Sequence, residues 1–366
     1  MLTPENAVAA ALPFHSAASV TPDTLDDVLR RAGVLHAGRV REVAATPIGT
    51  GQMAQSVRLT IGYDGPSDGP ESVVGKFPST DVGSRAVGRA LRAYEIECGF
   101  YRELAATVGV RAPGCHFVGF DPATHEFALL LEDLAPAEAG DQLQGCGPDL
   151  AAQVLSEAVA YHAPRWGDPA LEHVAWLNQS SPEAAAKTAQ LVRSLLPGFV
   201  ERFGSNLESS VLDALAQGVE RVEQWWQGVG GACTLFHGDL RLDNLLIDAA
   251  GQTVAVVDWQ TLALGNGVAD VSYFIGGNLL PDERRRVEAD LVRGYHGELT
   301  AAGVELSWNE CWRRYRHGSW YGAFLAVVAS MLVERTERGD RMFVTDLDRH
   351  VRHALDLEAL DLIEVL

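Results

Sequence analysis

The feature that most constrains this chain is a change of apolar periodicity partway along it. Up to about residue 132 the apolar residues fall in short β-type runs, near 40–48, 55–63, 72–77, 115–120 and 126–131. Gly- and Pro-rich turns, such as the segment from Asp64 to Pro70, separate them. From Pro148 onward the spacing turns helical, with Leu150, Val154, Leu155 and Ala158 on one face. Further helices are expected at 182–194, 207–228, 281–300, 307–336 and 344–362. The interruption is 233–260, where the strands NLLID and TVAVVD are joined by Ala-Ala-Gly. A sheet-forming half and a helical half do not share one core readily, so 366 residues suit two lobes.

Two helices belong to the first half. Thr21 caps one, with Pro22 at its first position and acids in its first turn. Residues 85–107 show helical spacing, with Leu91, Tyr94, Cys98, Tyr101 and Ala105 along one face. The expected organisation is a helical extension (1–35), a lobe of five antiparallel strands plus a helix (36–132), and a larger, mainly helical lobe (133–366). The fold class is α+β.

Charge and composition exclude several classes. A net charge of −20 disfavours nucleic-acid binding, which needs a basic footprint. It would steer a cationic substrate, although solubility alone explains it. No apolar run of about 18 residues suggests a membrane span. The N-terminus lacks a basic leader and carries Glu5 and Pro13, so no cleaved signal is expected. Five scattered cysteines without a CxxC pair fit a reducing, cytoplasmic setting.

Of 29 basic side chains only Lys76 and Lys187 are lysines. Lys187 sits in a polar helical stretch and needs no special account. Lys76 sits in the apolar strand ESVVGKFPS, an expensive place for an ammonium unless something anionic meets it.

The segment LFHGDLRLDNLLIDAAGQTVAVVDWQ concentrates the chemistry. Asp239 follows His-Gly at the end of an apolar run, Asn244 lies five positions on, and Asp258 closes the next strand. A strand pair between them brings their positions to one end. Any one aspartate here would be an ordinary turn former or cap. The joint pattern suits phosphoryl transfer: one carboxylate to orient an acceptor hydroxyl, an amide oxygen and a second carboxylate to hold Mg²⁺.

This segment resembles the catalytic and metal-binding loops of the aminoglycoside phosphotransferase and choline kinase superfamily, itself similar to protein kinases. Its flavour is nearest the ecdysteroid-kinase-like branch. The resemblance implies a bilobal protein-kinase-like fold with 36–132 as the nucleotide-binding lobe and 133–366 as the catalytic and substrate-binding lobe. It implies ATP, with GTP not excluded, and Mg²⁺ as cofactors, and a small-molecule hydroxyl as acceptor. Asp239 then corresponds to the catalytic aspartate, and Asn244 and Asp258 to the metal ligands. The Asp-Phe-Gly of protein kinases is replaced by Asp258-Trp259-Gln260.

The same resemblance assigns Lys76 to the nucleotide phosphates and Glu97, in EIECGFYREL, to its partner, ahead of Glu95 and Glu103. It assigns backbone amides near Gly51–Ser56 to the phosphate loop, with Ser56 as a hydroxyl donor, although no full GxGxxG is present. Glu132 and Leu134, after the fifth strand, would offer backbone groups to the purine edge. His237, His162 and Asp270 are read as structural supports of the catalytic loop. Trp225, Trp226, Trp312, Tyr315, His317, Trp320 and Tyr321 are read first as core, and otherwise as the wall of an acceptor pocket. The acceptor expected is a partly apolar alcohol or an antibiotic. Two rival functions are a metal-dependent phosphohydrolase and a catalytically silent nucleotide-binding regulator.

Overall fold

A computed structural model describes residues 12–49, 53–228, 230–248, 254–333 and 335–363. The chain divides into two compact units. The first comprises Met1–Thr107, Ala112–Ala137 and Val257–Thr261; the second comprises Val108–Arg111, Glu138–Val256 and Leu262–Leu366.

The first unit is built on one antiparallel sheet of strands β1 (Val40–Ile48), β2 (Ala54–Tyr63), β3 (Ser72–Pro78), β4 (Cys115–Asp121) and β5 (Glu126–Glu132), in the order β1-β2-β3-β5-β4. β3 and β5 are interior strands and carry the most buried residues. Helix α1 (Pro22–Arg31) starts at Thr21, whose hydroxyl accepts from the Thr24 N–H while Thr24 returns the bond. Leu25, Val28 and Leu29 of α1 share a core with Phe14, Leu59, Val73, Phe77 and Leu130. The helical extension is thereby part of this unit's core.

The single helix expected over 85–107 is broken. α2 (Val82–Ala90) ends before Arg92, which takes a left-handed backbone (φ 57°), and α3 (Ala93–Gly99) restarts in a new direction. The reason is packing. The Tyr94 ring lies over Gly88, where a Cβ would come within 2.8 Å of it, and its hydroxyl donates to the Met53 carbonyl. Leu91, placed on the apolar face by periodicity, is 48% exposed at this break. After α3 the chain loosens into a π-turn, Phe100–Leu104.

The second unit is mainly helical, with short strands β6 (Glu138–Ala139), β7 (Asn178–Gln179), β8 (Thr234–Phe236), β9 (Leu245–Ile247), β10 (Val254–Val256) and β11 (Ala263–Gly265). Its helices are α4 (Pro148–His162), α5 (Pro182–Phe203), α6 (Ser209–Glu220), α7 (Val222–Gln227), α8 (Gly267–Asn278), α9 (Pro281–Ala301), α10 (Trp308–Gly318), α11 (Tyr321–Leu332) and α12 (Glu337–Asp356). Two stretches expected as single helices are each split, at Arg221 and at Ser319–Trp320. At the latter, the Trp320 ring packs where a Cβ on Gly218 would reach within 2.6 Å.

α8 is the axis of this unit. All twelve of its residues are buried, polar Asp270, Ser272 and Asn278 among them, so the rest of the unit encloses it on every side. α12 packs on α11 and α8. The hairpin of β9 and β10 is antiparallel, with Val256 opposite Leu245. The segments just before β9 and just after β10 therefore leave the hairpin at the same end, as the strand pattern implied. Among the described residues no helix is long and apolar enough to cross a membrane.

Candidate active site

In the first unit the chemistry gathers around the one lysine that the sequence singled out. β3 is buried on both sides near its end, and Lys76 lies directly opposite Ser56 of β2, which puts both residues on one face of the sheet. Before Lys76 comes Gly75, where a Cβ would meet the Phe77 ring at 2.7 Å. The Lys76 ammonium is 2.7 Å from Glu97 Oε1 and 2.7 Å from Asp258 Oδ1. Glu97 is buried on α3, which fixes it as the partner among the three candidate glutamates.

Asp258 reaches this cluster because Trp259 beside it stacks on Phe100, centroids 3.9 Å apart and planes 10° from parallel. The Asp258 backbone is left-handed (φ 67°), a conformation that aspartate and asparagine tolerate better than other side-chain-bearing residues, and Gln260 donates to its second carboxylate oxygen at 3.1 Å. Burial alone would lower the Lys76 pKa. Asp258 and Glu97 outweigh it and hold the ammonium above its ordinary value. The same burial pushes Glu97 up, with Asp258 adding to it against the pull of Lys76. One cation facing two carboxylates leaves the cluster with a net negative charge.

In the second unit the loop that carries Asp239 follows β8 and is held by α8. Asp270, wholly buried in a helix without other charges, must have partners. It accepts from the backbone N–H groups of His237 (2.7 Å) and Gly238 (2.9 Å) and from the Tyr161 hydroxyl (2.9 Å), with His162 Nε2 at 3.3 Å. Thr234 in turn donates to the His162 carbonyl. The expected supporting roles of Asp270 and His162 are what these bonds describe. Gly238 takes φ 78°, the left-handed turn that aims Asp239 out of the loop, and Tyr321 donates to its carbonyl at 2.8 Å. His237 is buried, and its Nδ1 accepts from the Asp239 N–H.

Asp239 and Asn244 are brought together. The Asn244 amide nitrogen donates to the Asp239 carbonyl (2.9 Å) and to its Oδ2 (2.7 Å), which turns the amide oxygen away from Asp239. That oxygen and the Asp258 carboxylate are hard donors of the type Mg²⁺ takes, so the donor chemistry fits. Among the described residues no three His, Cys, Asp or Glu side chains form a metal cage.

Sequence reasoning left Arg241 and Asp243 open between contact with phosphate or substrate and surface pairing, and missed the rest of the Asp239 surround. Tyr273 of α8 donates to Oδ1 at 3.1 Å, and Arg241 Nε lies 3.1 Å from Oδ2. Burial and the nearby Asp239 keep the Tyr273 hydroxyl protonated well above its usual range. Arg241 also reaches Gln142 Oε1 (3.0 Å) and Asp243 Oδ2 (3.2 Å). Arg338 closes on Asp243 and Asp141 from α12. Asp346, also on α12, accepts from Gln142 Nε2 at 2.6 Å; burial pushes its carboxyl up to about 7 against the pull of Arg241 and Arg349. Arg241 was the one visible signal, as an arginine two residues after the aspartate.

The remaining expectations fare differently. Gly51 lies outside the described residues, and Ser56 sits half-buried beside Lys76. The Glu132 N–H donates to the Gly114 carbonyl (2.7 Å) and its carboxylate accepts from the Gly114 N–H (2.9 Å), while the Leu134 carbonyl accepts from the Ala137 N–H. Of these groups the Glu132 N–H is engaged within the protein, while the Leu134 carbonyl, with two lone pairs, can accept a further bond. The aromatic run is core in the main: Trp225, Tyr315, His317 and Trp320 are buried, and Trp225 stacks on His317. Trp226, Trp312 and Tyr321 are the exceptions, half-buried, and the Tyr321 ring lies edge-on to Phe236 and Tyr273.

The model of the ecdysteroid kinase-like family matches residues 170–307, the stretch that carries the catalytic loop and the hairpin. No curated protein matches by sequence. Three solved structures illustrate the fold. Choline kinase from Cryptosporidium parvum is 12% identical, covers 86% of this chain and 89% of its own, and has a TM-score of 0.56. Plasmodium vivax ethanolamine kinase is 10% identical, with 84% and 81% covered and a TM-score of 0.52. The GDP complex of aminoglycoside 2′-phosphotransferase-IIIa is 14% identical, with 87% and 93% covered and a TM-score of 0.51. The likeness to these three solved structures is one of fold. The resemblance read from the motifs therefore holds: over 170–307 the chain matches the ecdysteroid kinase-like family, and its α+β fold is the one that choline kinases and aminoglycoside phosphotransferases share.

Proposed function

We propose that the chain transfers the γ-phosphoryl group of ATP, with Mg²⁺, to a hydroxyl of a small molecule. The observation that carries this reading is the lysine at 2.7 Å from both Glu97 and Asp258. An ammonium fixed between two carboxylates is a point charge of the kind that binds a nucleotide's phosphates.

Each residue has a role in the account. Lys76, held by Glu97, binds the α- and β-phosphates. Asn244 and Asp258 would hold the cation, which neutralises charge on the leaving phosphate oxygens. Asp239 orients the acceptor hydroxyl and takes its proton as the new O–P bond forms and the bond to the β-phosphate oxygen breaks. Three donors, from Tyr273, Arg241 and Asn244, hold the Asp239 carboxylate in one orientation for that task. Catalysis by positioning of this kind tolerates little misplacement.

For the acceptor, a partly apolar alcohol is the better fit than a polycation. Despite the net charge of −20, the acids next to Asp239 are matched: Asp243 by Arg241 and Arg338, and Asp141 by Arg338. Phe236, Tyr273 and Tyr321 supply ring surface around the same loop.

A panel of hydroxylated compounds, assayed for ADP release and for mass gain of the acceptor, tests the reading. Asp239→Ala should lower transfer by roughly a thousandfold or more while nucleotide still binds. Full activity in that variant would overturn the mechanism.

A further inference from the structure

The last helix lies outside the family-matched stretch, yet one of its faces grips the catalytic loop. Arg338, Met342, Asp346 and Arg349 recur every three or four residues on α12 and so share a side. All four meet the loop or its neighbour at 141–143. Arg338 bonds Asp243 and Asp141, and the Met342 sulfur lies 3.4 Å from Arg241. Arg349 donates to the carbonyls of Gln142 and Leu143. Asp346 accepts from the Gln142 side chain.

These contacts compose a continuous line. The Asp346 carboxylate takes the Gln142 amide N–H at 2.6 Å, the Gln142 carbonyl takes an Arg241 N–H at 3.0 Å, and Arg241 Nε donates to Asp239 at 3.1 Å. Gln142 and Asp346 are buried, so solvent does not compete for these bonds. A side-chain amide has one donor face and one acceptor face. Fixing its N–H on Asp346 therefore fixes its carbonyl toward Arg241. Without that anchor the amide is free to rotate, and Arg241 loses one of the partners, beside Asp243 and Met342, that hold it on Asp239.

We infer that Asp346 and Gln142 are positioning residues, through which α12 sets the orientation of the acceptor-activating Asp239. This rests on the phosphotransferase reading above for its catalytic consequence, though not for the geometry.

The test combines kinetics with a measurement that needs no acceptor. Asp346→Ala and Gln142→Leu should each lower kcat for ADP release about 10- to 100-fold, with KM for Mg·ATP nearly unchanged. The double variant should be no worse than the poorer single one, because both break one line. Asp346→Asn keeps an acceptor for the Gln142 amide and should recover most of the rate. In parallel, ¹⁵N NMR of the Arg241 Nε–H should show faster hydrogen exchange in both single variants and near wild-type exchange in Asp346→Asn. If Asp346→Ala does not fold, Gln142→Leu and Asp346→Asn still decide. Unchanged Arg241 exchange, or additive losses in the double variant, overturns the inference. A wild-type protein that binds no Mg·ATP and releases no ADP with any hydroxyl compound defeats the functional reading instead, and the exchange data still judge the line.

Discussion

The lysine cluster of the first unit and the catalytic loop of the second solve the same problem, fixing a polar group at a chosen point, by different physics. Lys76, Glu97 and Asp258 are joined by two short ion pairs between residues remote in sequence. The loop around Asp239 is held mainly by its backbone, through Asp270 and Tyr321, and by side-chain hydrogen bonds. The first arrangement is unbalanced in charge. The second is satisfied within the protein and resists change. Damage to the first should therefore appear chiefly in binding, and damage to the second in stability.

The sharpest way to break that contrast is Asp270→Ala. It strands two buried backbone N–H groups and a tyrosine hydroxyl, and should destabilise the protein by about 3–5 kcal/mol, read by urea unfolding. Stability within about 1 kcal/mol of wild type would mean that the loop does not depend on its buried aspartate. Lys76→Met should weaken Mg·ATP binding by roughly a hundredfold, measured calorimetrically, because the phosphates lose their buried cation. In combination with Glu97→Gln the loss should not double, since the two residues act as one unit.

A subtler test concerns Asp346. Its carboxyl titrates near 7 in the folded chain and near 4 when unfolded, so between those values the folded state binds the extra proton. Stability then falls as pH rises from about 4 to about 7. Asp346→Asn should remove that loss, raising stability at pH 8 by up to roughly 4 kcal/mol and leaving it little changed at pH 4. An equal effect at both pH values would assign Asp346 no proton uptake on folding. The smallest effect belongs to Lys187→Ala, on the exposed side of α5, which should alter neither melting nor nucleotide binding.

The contrast also explains what the sequence made legible. Lys76 could be found because an ammonium in an apolar strand contradicts its surroundings. Asp239, Asn244 and Asp258 are within a short span, so their spacing exposes them. Glu97 was within reach because α3 needs a buried partner for Lys76. Gln142, Tyr273 and Asp346 were not legible: the Gln142–Asp346 bond joins residues 204 apart, and nothing local marks either end. The helix breaks were hidden for a similar reason. Periodicity over 85–107 favours one helix, and only the Tyr94 ring, packed on Gly88 and bonded to Met53, decides otherwise.

The most direct test of the central claim is transfer itself. Incubated with γ-labelled ATP, Mg²⁺ and a panel of neutral, partly apolar alcohols, the wild-type protein should move label onto an acceptor at a rate that Asp239→Ala and Lys76→Met both abolish. Label that appears only as inorganic phosphate, or transfer that survives in Asp239→Ala, would contradict it.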